Sequence, residues 1–123
     1  MKSVVILLML LSVLSVSNAH AKRGAPAKVP AVMDGALEYR APTSEMGCVE
    51  AWNTKSQKMV WRRQIYIVKY DVGLEKDVQD IFIDSLKLRG NVLIVTNERK
   101  SMYQLDLDSL NVKVLKGALI ETK

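Results

Sequence analysis

The apolar positions change period along the chain, and each change marks an element. Val4-Val5-Ile6-Leu7-Leu8-Met9-Leu10-Leu11 is an unbroken run close to the start. Val92-Leu93-Ile94-Val95 is a shorter one, rich in β-branched residues, with Gly90-Asn91 before it and Asn97-Glu98-Arg99-Lys100 after it. This predicts a central strand buried on both faces. Tyr103, Leu105 and Leu107 then alternate with Met102, Gln104 and Asp106, the pattern of a strand with one wet face. Asp108-Ser109-Leu110-Asn111 supplies a turn, and Val112 and Val114 begin the return strand.

Upstream, Ile81-Phe82-Ile83 and Leu86, Leu88 fall out of phase across Asp84-Ser85, which predicts a bulge. Lys58 to Tyr70 is the longest strand candidate, with Met59, Trp61, Ile65 and Ile67 on one face and Val60, Arg62, Gln64, Tyr66 and Val68 on the other. Arg63 interrupts the apolar face. Either a bulge turns it outward, or the strand lies at a sheet edge where the side chain can snorkel. Leu74, Val78 and Ile81 follow helical spacing, so a short helical turn is expected over 74–80.

The stretch 22–45 holds all three prolines, Pro26, Pro30 and Pro42, without a sustained period, and reads as an extended arm. The expected organisation is a leader over 1–21, the arm over 22–45, a β domain over 46–116 and a C-terminal tail over 117–123. The fold class is all-β, an antiparallel sheet of about six strands.

The leader carries Lys2, the apolar run and the small-residue exit Ala19-His20-Ala21, which together make a signal peptide cleaved after Ala21. The run is shorter than the about 20 residues a membrane span needs. Export to the bacterial periplasm or beyond follows, with no membrane span after cleavage. Losing Lys2 takes the formal net charge from +5 to +4. That modest excess favours anionic partners without defining one, and no nucleic-acid motif is present.

Cleavage also removes His20, the only histidine. The mature chain then has no Ser-His or Cys-His nucleophile pair, no imidazole base and no zinc site of the usual mixed ligands. Cys48, the only cysteine, is either a buried small hydrophobe or the handle of a bridge between chains, since an intrachain disulfide needs two.

Val49-Glu50-Ala51-Trp52-Asn53-Thr54-Lys55-Ser56-Gln57-Lys58-Met59-Val60-Trp61 resembles the strand-turn-strand signature of quinoprotein-like (PQQ/WD40-type) β-propeller repeats. A second copy runs from Met102 to Val114, placing Asn53 and Asp106 at matching positions. The sequence departs from the family pattern at Gln57, where a glycine is usual, and in lacking Trp in the second copy. The resemblance covers roughly Gly47 to Lys116 and implies about one and a half blades. Closed propellers need about four to eight, so no quinone cofactor or propeller active site carries over. Asn53 and Asp106 are expected to cap their turns by bonding backbone two residues on, with Trp61 packed beneath.

Trp52, Trp61, Arg62, Gln64 and Tyr66 are the candidate binding residues, because aromatic rings beside cations stack on sugars or bases and hold anions. The expected function is a small non-catalytic module of the envelope, with no cofactor and no metal, that binds an envelope protein, a glycan or an anionic polymer. Self-association through an open sheet edge is a further expectation. The alternative is a carboxylate-dependent hydrolase acting on glycans, for which Asp106 with Asp108, or Asp77 with Asp80, would be the acid pairs.

Overall fold

The computed structural model describes residues 24–122, so the expected signal peptide lies outside the described residues. The chain is all-β, as its patterning predicts, and its strands fall into two antiparallel four-stranded meanders. The first is β1 (Val32–Asp34), β2 (Leu37–Arg40), β3 (Cys48–Asn53) and β4 (Lys58–Gln64), in that spatial order. After β5 (Ile67–Val68) and the single helical turn α1 (Lys76–Gln79) comes the second: β6 (Ile83–Arg89), β7 (Val92–Asn97), β8 (Met102–Asp106) and β9 (Val112–Lys116). The last strand, β10 (Ile120–Glu121), pairs with β5 in parallel.

Several expectations change with this arrangement. Among the described residues about six strands in one sheet become ten in three sheets, because 22–45 is not wholly an arm and β5 and β10 form a pair of their own. Val32–Asp34 and Leu37–Arg40 form a hairpin over the two-residue turn Gly35-Ala36, with Gly35 at φ 61°. The prolines do not prevent it: Pro26 and Pro30 precede β1, and Pro42 follows β2. Strands of three and four residues are too short to show a clear period. The tail over 117–123 is likewise a strand partner, and Glu121 is buried.

The long strand from Lys58 to Tyr70 is also divided. Ile65 and Tyr66 are both buried, each 2% exposed, so the chain must leave the first sheet and cross the interior after Gln64. The crossing is tight: a Cβ on Gly47, at φ 75°, would meet the Tyr66 carbonyl oxygen at 2.5 Å. Arg63 sits on an edge strand, one of the two alternatives the sequence left open, and its Nε donates to the Leu110 carbonyl at 2.9 Å. The predicted bulge is present, as a register shift between Ile83 and Ser85. Around α1, buried Gln79 rather than an apolar face organises the loop, accepting from Asp71 N and donating to the Leu74 and Glu75 carbonyls.

The core lies between the two sheets. Tyr39, Val49 and Ala51 come from the first, Leu86, Leu93, Val95, Tyr103 and Leu105 from the second, and Ile65, Tyr66 and Ile81 from the connection. Tyr66 stacks on Tyr103 with ring centroids 5.3 Å apart and donates its hydroxyl to the Ile81 carbonyl. β7 is central in its sheet but buried on one face only: Leu93, Val95 and Asn97 point to the core, while Ile94 and Thr96 remain half-exposed.

The two meanders are structural repeats of one another. Each opens on a two-residue turn led by a positive-φ glycine, Gly35 or Gly90. In the first, Thr54 N donates to Ala36 O, and Leu107 N donates to Asn91 O in the second. Asn53 Oδ1 accepts from Lys55 N and Ser56 N, as Asp106 Oδ1 does from Asp108 N and Ser109 N. Gln57 and Leu110 then take positive φ, 59° and 61°.

Candidate functional site

On β2 to β4 the alternation that buries Tyr39, Val49 and Ala51 sends their neighbours to the opposite face. Two cross-strand rows result there: Arg40, Glu50 and Arg62, and beside it Met33, Glu38, Trp52 and Met59. Their contacts interlock. The Arg40 guanidinium lies over the Trp52 ring, 4.6 Å from its centroid, while Arg40 Nε holds Glu38 Oε1 at 3.0 Å. Trp52 Nε1 donates to Glu50 Oε1 at 3.0 Å, and Arg62 Nε donates to Glu50 Oε2 at 2.8 Å.

Glu50 is therefore a buried carboxylate satisfied from both sides, and it fixes an indole and a guanidinium in place. Its hydrogen bond raises the Arg62 pKa above the ordinary value. A groove of about 960 Å³ adjoins the cluster, with Lys28, Pro30, Pro42 and Thr43 in its lining and Glu38 and Arg40 along one wall.

Of the residues singled out by sequence, Trp52, Arg62 and Gln64 lie on this face, and Trp61 and Tyr66 do not. Trp61 pairs with Ala51 on the opposite face, where it packs against the core and lies 5.9 Å from the Tyr39 ring. Gln64 is a clamp: its Nε2 donates to the Met46 and Tyr66 carbonyls, and its Oε1 accepts from the Cys48 thiol. Tyr66 is core. Arg40 and Glu50 are the residues the sequence reading missed: Val49-Glu50-Ala51-Trp52 carries a period of two that places Glu50 beside Trp52, whereas the four residues around Arg40 are too few to do the same.

Cys48 is a buried free thiol, its pKa pushed up by burial and then by the nearby Glu45 charge. Of the acid-pair residues, Asp106, Asp108 and Asp80 have local work. Asp106 spends Oδ1 on its turn, and those backbone hydrogen bonds, Ser109 N first, hold its carboxyl below the ordinary value. Asp108 accepts from Asn91 Nδ2, and Asp80 accepts from the Tyr70 hydroxyl. Burial, then that bond to Asp80, pushes Tyr70 up to about 12.

A second buried carboxylate, also unseen in the sequence, closes the C-terminal strand. Glu121 Oε1 accepts from the Tyr103 hydroxyl at 2.7 Å and from Asn97 Nδ2 at 3.3 Å. Burial raises its pKa, but the hydrogen bonds from Ser101, Tyr103 and Asn97 and the Arg99 charge outweigh that and leave it below the ordinary value.

The uncovered face of the second sheet differs in character. Lys87, Ile94, Gln104 and Lys113 form one cross-strand row, and Arg89, Thr96, Met102 and Leu115 surround it. Among the described residues no three His, Cys, Asp or Glu side chains are placed to hold a metal ion, and no helix is long and apolar enough to cross a membrane. The chain matches no family model and no curated protein.

Proposed function

We propose that this protein is a small exported, non-catalytic binding module of the bacterial envelope, with the outer face of the first sheet as its contact surface. The observation that supports this most is the Arg40–Trp52–Glu50–Arg62 cluster. Trp and Arg are the residue types that dominate binding energy at interfaces, and here both are held rigid before any partner arrives. The resemblance implies about one and a half blades; the two four-stranded meanders are the observation that supports a propeller-like reading here, with two sheets that present their faces. Export rests on the character of residues 1–21.

Equilibrium binding to envelope glycans, anionic polymers and exported proteins, comparing the parent with an Arg40→Ala/Trp52→Phe variant, tests the reading. A ligand bound by the parent and lost by the variant, with unchanged circular dichroism, supports it. Hydrolysis of a glycan by the parent, abolished by Asp106→Asn or Asp108→Asn, overturns it.

A further inference from the structure

The repeat equivalence, carried strand by strand through the pairings, has an inversion in it. Aligning the turn pairs Gly35 with Gly90 and Asn53 with Asp106 places the row Met33–Glu38–Trp52–Met59 on the row Leu88–Leu93–Leu105–Val112. The first row lies on the outside of its sheet, with Met33 54% and Met59 41% exposed, whereas Leu93 and Leu105 are completely buried against the first sheet. Conversely, the core-facing row Val32–Tyr39–Ala51–Trp61 corresponds to Lys87–Ile94–Gln104–Lys113, on the outside of the second sheet.

The two sheets thus meet through opposite faces of the same repeat. A contact of that kind is head-to-tail, and it leaves one unused face of each type at the two ends of the molecule. Those two unused faces are the counterparts of the pair already packed together in the core.

We propose that the partner of this module is a second copy of the chain, the outer face of the second sheet of one copy docking on the outer face of the first sheet of the next. The inference rests on the binding-module reading and names its partner. The two faces also differ in charge. Lys87, Arg89 and Lys113 stand on the second-sheet face outside every salt bridge of the described residues. On the first-sheet face Glu38, Glu45 and Glu50 are already engaged by Arg40 and Arg62, and Lys28 beside them brings the face to charge balance. Each face also offers apolar area: Met33, Trp52 and Met59 on one, Ile94, Met102 and Leu115 on the other. These apolar side chains supply the contact area, and the unpaired cations stand around them on one face only.

Sedimentation velocity over a range of protein concentrations tests this with two surface variants. Met33→Glu/Met59→Glu alters only the first-sheet face, and Lys87→Glu/Lys113→Glu only the second. The parent is expected to associate with rising concentration. Each variant alone should associate about tenfold or more weakly than the parent, yet an equimolar mixture of the two should form a 1:1 complex, because one intact interface survives between them.

A parent that stays monomeric at every concentration overturns the proposal, and so does a mixture that fails to pair while the parent assembles. Should a double variant lose its fold by circular dichroism, Met59→Glu and Lys113→Glu singly give the same comparison. A monomeric parent that still binds an anionic polysaccharide overturns the second copy as partner and leaves the binding-module reading standing.

Discussion

Asn53 and Asp106 close equivalent four-residue turns with the same pair of side-chain to backbone hydrogen bonds, yet they stand on opposite sides of their sheets. Asn53 follows the core-facing alternation of Val49 and Ala51. Asp106 follows Met102 and Gln104, on the outside, while Leu105 beside it is buried. An extra residue in β4, at Val60, and one in β9, at Leu115, let each sheet keep its own buried face from the turn to the far end of the hairpin.

The turn geometry makes Gln57 and Leu110 unequal targets. Both hold positive φ, which costs an L residue about 1–2 kcal/mol. Gln57 is exposed, so Gln57→Gly should stabilise the protein by about 0.5–1 kcal/mol after the entropy of the unfolded chain is offset. Leu110 packs against the core, and Leu110→Gly should destabilise it despite the same relief. Urea denaturation of the two variants reads both signs.

Tyr66 and Trp52 should separate folding from binding. Tyr66→Ala removes a fully buried ring that stacks on Tyr103 and is expected to cost about 3–5 kcal/mol. Tyr66→Phe deletes only the hydroxyl bonded to Ile81 O and leaves that carbonyl without this donor, a loss of about 1–3 kcal/mol. Trp52→Phe keeps most of the apolar surface but takes the indole donor from buried Glu50, a loss of about 1–3 kcal/mol, so it should melt below the parent and above Tyr66→Ala while weakening partner capture. Thermal melts beside the binding assay check the order.

Acid should loosen the C-terminal strand first. Glu121 has a folded pKa below its ordinary 4.5, so the unfolded chain binds the proton more readily. Its contribution is fully present above the ordinary value and disappears as pH falls through the lower folded value. Glu121→Gln should flatten stability against pH in that window and cost about 1–3 kcal/mol at neutral pH, where Asn97, Ser101 and Tyr103 lose their ionised acceptor. Amide exchange at Ile67 and Lys69, whose N–H groups bond the 119 and 121 carbonyls, reports the release.

Glu50 should matter to the shape of the binding face more than to the core. Glu50→Gln keeps an acceptor for Trp52 Nε1 and removes the ion pair with Arg62, so the fold should persist while the Arg62 side chain becomes mobile. Side-chain NMR of the Arg62 Nε–H, ordered in the parent and averaged in the variant, checks this.

Local chemistry by itself determined much of this protein. The period-two alternation of Met102–Leu107, the apolar run at Val92–Val95, the phase shift at Asp84 and the turn residues Asn53 and Asp106 made the all-β class and half of each repeat legible, because strand faces and turn caps depend on neighbours a few residues away. The tertiary structure decided what these signals could not carry. β1 and β2 are too short to declare a period and form because β3 offers β2 a hydrogen-bonding edge and β2 in turn offers one to β1, while β10 pairs with the distant β5 and its Glu121 is held by the 97–103 hairpin. Trp61 and Tyr66 resembled a binding surface in sequence and became packing. Whether a ring faces solvent or the opposing sheet is settled by which faces meet, and that depends on contacts between residues far apart in the chain.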